Sequence, residues 1–112
     1  MTLHSVSLSI FSIAALFVAQ VAHAALDNTS ADAMMKKNGC AACHAVDKKI
    51  VGPAYVDVAA KYKSDKNAVA MLSKKVKEGS TGVWGPIPMP PNATTSMADI
   101  TDLVTWILTL KK

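Results

Sequence analysis

Four stretches downstream of residue 24 place apolar residues at the spacing of an amphipathic helix, and none alternates apolar and polar positions as a strand would. The predicted helices cover about residues 30–38, 54–61, 65–78 and 97–110. No internal repeat and no low-complexity linker interrupts them. The pattern therefore predicts one small all-α domain of about four helices.

The helix ends are predicted from capping residues. Thr29 with Asp32 could form a capping box for the first helix, and Gly39 would end it. Ser64 is the predicted cap of the third helix, and Gly79 would end that helix. The predicted inner faces of these two helices are Ala31, Met34 and Met35, and Val69, Leu72 and Val76.

The fourth helix has the longest apolar stripe. Either Thr95 or Ser96 could cap its first turn, and Ser96 would pair with Asp99 in a capping box. The stripe should face the core of the domain. Its members are Ile100, Leu103, Val104, Ile107 and Leu108.

A long loop separates the third and fourth helices. Residues 79–92, GSTGVWGPIPMPPN, contain four prolines and three glycines, which exclude both a helix and a central strand. The loop also carries apolar side chains, so it is predicted to be ordered rather than a linker. Loops of this length without secondary structure are usually functional.

The first 24 residues have the pattern of an export signal. Residues 8–19, LSIFSIAALFVA, are apolar except for two serines, and Ala22-His23-Ala24 follows with the small-x-small pattern of a peptidase site. We predict that residues 1–24 are a cleaved secretory signal peptide and that residues 25–112 form the mature domain. Because the leader contains no Lys or Arg, an uncleaved membrane anchor remains an alternative.

Charge and composition of the mature domain add two expectations. The formal charge of +4 lies wholly after residue 24, which suits docking on acidic partner surfaces or simply solubility. No nucleic-acid motif accompanies the basic residues. The two phenylalanines belong to the leader, so the mature domain should have a small hydrophobic core. It should therefore need a staple, that is, a metal or a covalent cross-link that adds stability.

The strongest chemical signal is CAACH at residues 40–44, a covalent haem attachment motif. Cys40 and Cys43 lie three positions apart, so in a helical turn they share one face and could both form thioethers with one porphyrin. His44 could then present its imidazole nitrogen to the iron. One haem c, which would serve as the staple, is the predicted cofactor.

Two other meanings of the cysteine pair are less favoured. A zinc site needs about four ligands, and the remaining histidines, His4 and His23, lie in the predicted leader. A thioredoxin-like dithiol would follow a strand in a βαβ unit, and no strand pattern precedes Cys40.

The second axial position of the iron needs a ligand from elsewhere in the chain. The methionines of the mature domain are Met34, Met35, Met71, Met89 and Met97. Met89 is favoured because prolines on both sides restrict the backbone and lower the entropy of holding its sulfur near the iron. A thioether favours ferrous iron and raises the potential, and two protein ligands leave no open site for a substrate. The predicted activity is therefore electron transfer.

Three segments carry a family resemblance: GCAACHAVD at 39–47, VGPAY at 51–55 and GVWGPIPMPPN at 82–92. In order and spacing they resemble the small bacterial class I cytochromes c, over essentially all of the mature chain. The resemblance implies a cytochrome c fold around one haem, and a periplasmic monohaem protein that shuttles electrons as a monomer and is not an enzyme.

The resemblance also implies roles for residues around the haem. The Pro53 carbonyl would accept a hydrogen bond from His44, and the Asn92 side chain would form a hydrogen bond near the Met89 sulfur. Trp84 would donate its indole N–H to a haem propionate, with Lys75 as a basic group nearby. A packing tryptophan, an ordinary loop asparagine and a solvated lysine are the alternatives. The first and last helices would cross at Gly39, with Trp106 or its neighbours packed there.

The implied partners are redox proteins. A quinol–cytochrome c reductase would be the donor, and a terminal oxidase, nitrite reductase or cytochrome c peroxidase the acceptor. A haem-based gas sensor, in which Met89 dissociates to admit a ligand, is the alternative function. A haem peroxidase is a further alternative, which the lack of a second histidine or a carboxylate near the loop disfavours.

Overall fold

A computed structural model describes residues 14–17 and 25–112 of the chain. The predicted leader and its cleavage site lie outside the described residues, except for residues 14–17, which have no regular secondary structure. Four helices follow: α1 (Asn28–Lys37), α2 (Tyr55–Tyr62), α3 (Ala68–Glu78) and α4 (Met97–Thr109), with a 3₁₀ turn at Cys40–Ala42.

The described residues contain no strand, only two isolated bridges, so the all-α prediction is confirmed. Within the same residues, no helix has the length and apolar character needed to cross a membrane.

The predicted start of α1 is wrong, because the capping residue is Asp27 and not Thr29. The helix begins at Asn28, and the side chain of Asp27 accepts the N–H of Ser30 at 2.7 Å, so Thr29 and Asp32 do not form the expected capping box. The carboxylate suits this position because it satisfies a free N–H and faces the positive end of the helix dipole. The backbone hydrogen bond from Ser30 lowers the pKa of Asp27.

The predicted start of α3 is also wrong. Ser64 does not cap the helix, which begins three residues later than expected, at Ala68. The side-chain carboxylate of Asp65 accepts a hydrogen bond from the N–H of Asn67 at 2.8 Å. The backbone carbonyl of Asp65 accepts one from the N–H of Ala68 at 3.2 Å. This local turn competes with a helical start, as acidic side chains commonly do.

The other predicted helix ends agree with the structure. Ser96 is the cap of α4 and accepts the N–H of Asp99 at 3.1 Å. Gly39 and Gly79 follow α1 and α3 with φ angles of 75° and 84°. Only glycine adopts this left-handed backbone without strain, which explains why both helices end there.

The core consists of two clusters, and α4 contributes to both. The first cluster joins α4 to α1 and α2 and consists of Ala31, Met35, Tyr55, Leu103 and Trp106. The second joins α4 to α3 and consists of Ala68, Leu72, Ile100 and Val104. Of the predicted stripe, Ile100, Leu103 and Val104 are buried, whereas Ile107 and Leu108 are half-buried.

The predicted crossing of the first and last helices at Gly39 is wrong in position. The contact runs through Ala31 and Met35, and Trp106 packs there as expected. A Cβ added to Gly39 would meet no atom within 4 Å, so this glycine is needed for its backbone angle and not for close approach. The Trp106 indole N–H also donates to the Asn28 side chain at 3.1 Å.

Two connections between helices carry the predicted functional residues. The α1–α2 connection, residues 38–54, contains the CAACH motif, and the α3–α4 connection, residues 79–96, contains Met89. The helices hold both connections against one side of the core, where they form a cleft.

Candidate functional site

One cleft, with mostly apolar walls, brings the two connections together. All eight residues that the sequence singled out line it, although they lie up to 52 positions apart (92 − 40). They are Cys40, Cys43, His44, Pro53, Lys75, Trp84, Met89 and Asn92.

The CAACH motif forms a tight turn at the floor of this cleft. The carbonyl of Cys40 accepts the N–H groups of Cys43 at 3.2 Å and of His44 at 3.0 Å. Both thiols are free and half-buried. Burial raises the pKa of the Cys40 thiol, which is the opposite of the shift that a nucleophilic dithiol needs. This direction disfavours a redox dithiol.

The orientation of the His44 ring is set by one hydrogen bond. Its Nδ1 lies 2.8 Å from the carbonyl oxygen of Pro53. Because a carbonyl can only accept, Nδ1 is the donor, and in the neutral ring the lone pair therefore lies on Nε2. A histidine held in this way is prepared to bind a metal through Nε2.

Two neighbours of His44 were not recognised as site residues from the sequence. The Tyr55 ring stacks on the imidazole with centroids 5.0 Å apart and planes at 16°. The backbone of Gly52 lies on the ring so closely that an added Cβ would overlap its Cε1 atom. Both belong to the VGPAY segment, whose Pro53 carbonyl was expected at His44, but the expectation did not extend to the backbone of Gly52 or the ring of Tyr55.

We expect Gly52→Ala to destabilise the protein by about 2–3 kcal/mol, because the new methyl group must displace the His44 ring or the backbone. Denaturant unfolding of the haem-loaded protein measures the change. Gly82→Ala is the control: its φ of 88° strains a side chain by about 1 kcal/mol, but a Cβ there meets no atom within 4 Å. Because Gly52 has no positive φ, a Gly52→Ala variant as stable as the native protein would show that the contact with His44 contributes nothing.

Met89 is held at the cleft by its backbone. It pairs with Ser80 through two hydrogen bonds, from Ser80 N–H at 3.0 Å and to the Ser80 carbonyl at 2.8 Å. Gly79 lies so close that an added Cβ would be 2.8 Å from the Met89 carbonyl. The loop is therefore fastened to the end of α3 as well as stiffened by its prolines.

The remaining methionines have other surroundings. Met35 reaches the cleft but is buried in the first core cluster, against which Met34 also packs. Met71 packs against the second cluster. Met97 is exposed at the start of α4. Among the methionines, Met89 therefore combines a place on the cleft wall with a loop position outside the helical core.

Trp84 lies at the rim of the cleft and is 39% exposed. The ammonium of Lys61 lies 5.7 Å from the centre of its ring and 5.8 Å from that of Tyr62, which is within cation–π range. Lys75 lines the cleft as well. Lys61 was missed because its partner Trp84 lies 23 positions away (84 − 61), in a different element.

Asn92 is joined to two other segments. Its side-chain oxygen lies 2.8 Å from the Thr95 hydroxyl, and its side-chain nitrogen lies 3.5 Å from the carbonyl of Asn38. Its backbone N–H donates to Val76 in α3 at 3.0 Å. These contacts place the amide beside the cleft that Met89 lines.

The donor set fits a covalently bound haem. Two free thiols, an imidazole with an available Nε2 and a thioether share one apolar cleft, and lysines stand at its edge. Within residues 14–17 and 25–112, no group of three or more His, Cys, Asp or Glu side chains could hold a metal ion such as zinc. The cleft thus offers what a porphyrin needs and lacks the ligands that a zinc site needs.

Comparison with known proteins agrees with this chemistry. The profile of the cytochrome c family matches residues 29–111. The chain belongs to the cytochrome c family. Cytochrome c-552 of Nitrosomonas europaea is 51% identical to this cytochrome c over 104 residues, 93% of this chain and 95% of the relative. Cytochrome c-551 of Pseudomonas aeruginosa is 52% identical over 80 residues, 71% of this chain and 76% of the relative.

The fold comparison gives the same answer. The crystal structure of wild-type Nitrosomonas europaea cytochrome c552 matches with a TM-score of 0.70 and 55% identity, over 71% of this chain and 99% of that chain. The protein is a small class I monohaem cytochrome c with one covalently attached haem c, and it functions in electron transport. The sequence-based predictions of family, fold class and cofactor are confirmed.

Proposed function

We propose that this cytochrome c is a periplasmic electron shuttle in which His44 and Met89 are the axial ligands of the haem iron. The observation that carries the proposal is the placement of these two side chains on one cleft by two separate connections, with Nδ1 of His44 engaged and Nε2 available. When bound, the haem supplies a centre that accepts and releases one electron between its ferric and ferrous states.

The chain's own residues have distinct parts in this proposal. Cys40 and Cys43 bind the porphyrin through thioethers, and the Pro53 carbonyl keeps the His44 ring in its tautomer and orientation. Trp84 and Lys75, at the cleft, bind the propionates, and the Lys61 ammonium beside Trp84 adds positive charge there. Asn92 orients the Met89 sulfur.

An apolar rim around the cleft supports docking to redox partners. Val51, Val83 and Ile87 line the cleft and are exposed by 45%, 43% and 62%. Lysines elsewhere on the surface give the chain its positive charge, which steers it to acidic partner surfaces while binding stays weak enough for turnover. We propose a quinol–cytochrome c reductase as donor and a terminal oxidase, nitrite reductase or cytochrome c peroxidase as acceptor.

The cellular location and the absence of enzyme activity belong to the same proposal. Residues 1–24 would direct export and be removed, leaving residues 25–112 in the periplasm as a monomer. With both axial positions filled by protein, no open site for a substrate remains, which supports a carrier over a peroxidase. The mass of the exported protein distinguishes a cleaved leader from a retained anchor.

Carbon monoxide tests the carrier against the gas sensor. We expect the exported protein to give a reduced-minus-oxidised c-type spectrum, to retain its colour after acidic solvent extraction, and to show no spectral change when carbon monoxide is added to the reduced form. In a carrier, Met89 stays on the iron and prevents carbon monoxide from binding, whereas in a sensor Met89 dissociates and carbon monoxide binds. Rapid binding of carbon monoxide at neutral pH would contradict the carrier proposal and favour the sensor.

A further inference from the structure

A small polar cluster joins the end of α1 to the start of α4. The hydroxyl of Thr95 lies 3.0 Å from the side-chain oxygen of Asn38 and 2.8 Å from that of Asn92. The Thr95 N–H also donates to the Asn92 side chain at 3.3 Å. Thr95 is only 4% exposed, so these contacts form away from bulk water, where an unpaired polar group is costly.

Asn38 is itself held in place by α1. Its side-chain nitrogen donates to the Met34 carbonyl at 2.9 Å, which turns the amide oxygen toward Thr95. Its backbone carbonyl faces the side-chain nitrogen of Asn92 at 3.5 Å. The amide of Asn92 is thus contacted at both ends, at its oxygen by Thr95 and at its nitrogen by Asn38.

The opposite side of the same segment is fastened to α3. The Asn92 N–H donates to the Val76 carbonyl at 3.0 Å. The Lys77 ammonium donates to the carbonyls of Ala93 at 2.8 Å and Thr95 at 2.7 Å. Changes in the cluster leave these anchors intact, so they release the segment from α1 without detaching it from α3.

We propose that Asn38 and Thr95 are positioning residues. Through Asn92 they hold the Met89 loop (residues 79–96) in place, so that Met89 stays at the cleft. Asn38, Asn92 and Thr95 all line the cleft beside Met89, and Asn92 follows Met89 by three residues in a proline-restricted segment. Loss of the Thr95 hydroxyl leaves the Asn38 side-chain oxygen without its Thr95 partner and leaves the Asn92 oxygen only the longer contact from the Thr95 N–H at 3.3 Å, so the Asn92 amide is held more loosely. The inference rests on the proposed role of Met89 as an axial ligand.

Imidazole binding to the ferric, haem-loaded protein tests the inference, because imidazole must displace Met89 to bind. We expect Thr95→Val to raise imidazole affinity about tenfold, the equivalent of about one hydrogen bond, and Thr95→Ser to restore it to within about threefold. A purely structural role would not follow the hydroxyl in this way.

Thr105→Val is the matched control for the substitution itself. The Thr105 hydroxyl donates to the Thr101 carbonyl at 2.7 Å on an exposed part of α4, so this variant also deletes a hydrogen-bonded threonine hydroxyl. We expect it to bind imidazole as the native protein does. Asn38→Ala removes the side chain through which α1 contacts the Thr95 hydroxyl, and it should raise the affinity in the same direction even where Thr95→Val folds poorly.

Met89→Ala separates the inference from the function on which it rests. Native affinity in both Thr95→Val and Asn38→Ala, with much tighter binding in Met89→Ala, would overturn the positioning role and leave Met89 as the ligand. Native affinity in Met89→Ala as well would overturn both. Tighter binding in the two cluster variants and in Met89→Ala, but not in Thr105→Val, would support both.

Discussion

Replacement of both Cys40 and Cys43 by alanine is expected to leave most of the chain unfolded at room temperature. The reason is the composition of the core. Among residues 14–17 and 25–112, four of the twelve buried hydrophobic residues are alanines, and Ile100 is the one large apolar side chain that is less than 2% exposed. Such a core buries too little apolar surface to offset the conformational entropy of the chain by a wide margin.

The cleft makes the loss larger. Its apolar walls come from α2, α3, α4 and the Met89 loop, and a bound porphyrin covers them. Without thioethers, the haem is no longer fixed to the chain, and the walls face water. The double variant therefore loses both the covalent cross-link and the burial of the apolar walls.

Thermal unfolding followed by circular dichroism measures this effect in protein purified after export. We expect a cooperative transition in the native protein and none in the double variant. Ala42→Ser changes an exposed residue between the two cysteines and is expected to melt like the native protein. A cooperative transition of the double variant near the native midpoint would show that the polypeptide folds without attached haem.

Met89→Ala is expected to convert the protein into one that binds external ligands and has a lower reduction potential. Removal of the sulfur opens the proposed second axial position, so carbon monoxide should bind to the reduced form within seconds of mixing. Because a thioether favours ferrous iron, its loss should lower the potential by on the order of 100 mV. A redox titration and a carbon monoxide difference spectrum measure the two effects.

Met97→Ala is the control for this prediction. Met97 is also a methionine outside the core clusters, but it is 46% exposed and does not line the cleft. We expect this variant to keep the native potential and to exclude carbon monoxide. If Met89→Ala behaved in the same way, another residue would have to be the ligand, and Met35, the other methionine on the cleft wall, would be the next to test.

Several features of the molecule were predictable because they depend on neighbours in sequence. The spacing of Cys40 and Cys43 indicates a turn that can hold one porphyrin, and the apolar period indicates α4. Gly39 and Gly79 indicate helix ends because only glycine adopts their positive φ without strain. The restriction of Met89 by its flanking prolines is likewise a local property.

The helix starts were less predictable for a reason that is also local. Asp27 and Thr29 are both good capping residues, and Asp65 can form its own turn as easily as Ser64 can cap a helix. Small differences between competing hydrogen bonds decide such cases, and the sequence pattern does not rank them.

The sequence by itself determined the fold class, through the helical spacing of apolar residues, and the cofactor, through the adjacent residues of CAACH. Tertiary structure alone decided that the Gly52 backbone lies against the His44 ring, and that Asn38 and Thr95, 57 positions apart, share one hydrogen-bonded cluster. Such contacts depend on how the connections fold back onto the helices. Packing and hydrogen bonding between distant segments leave no periodic signal, so the residues that hold the site in shape become visible only when the chain is folded.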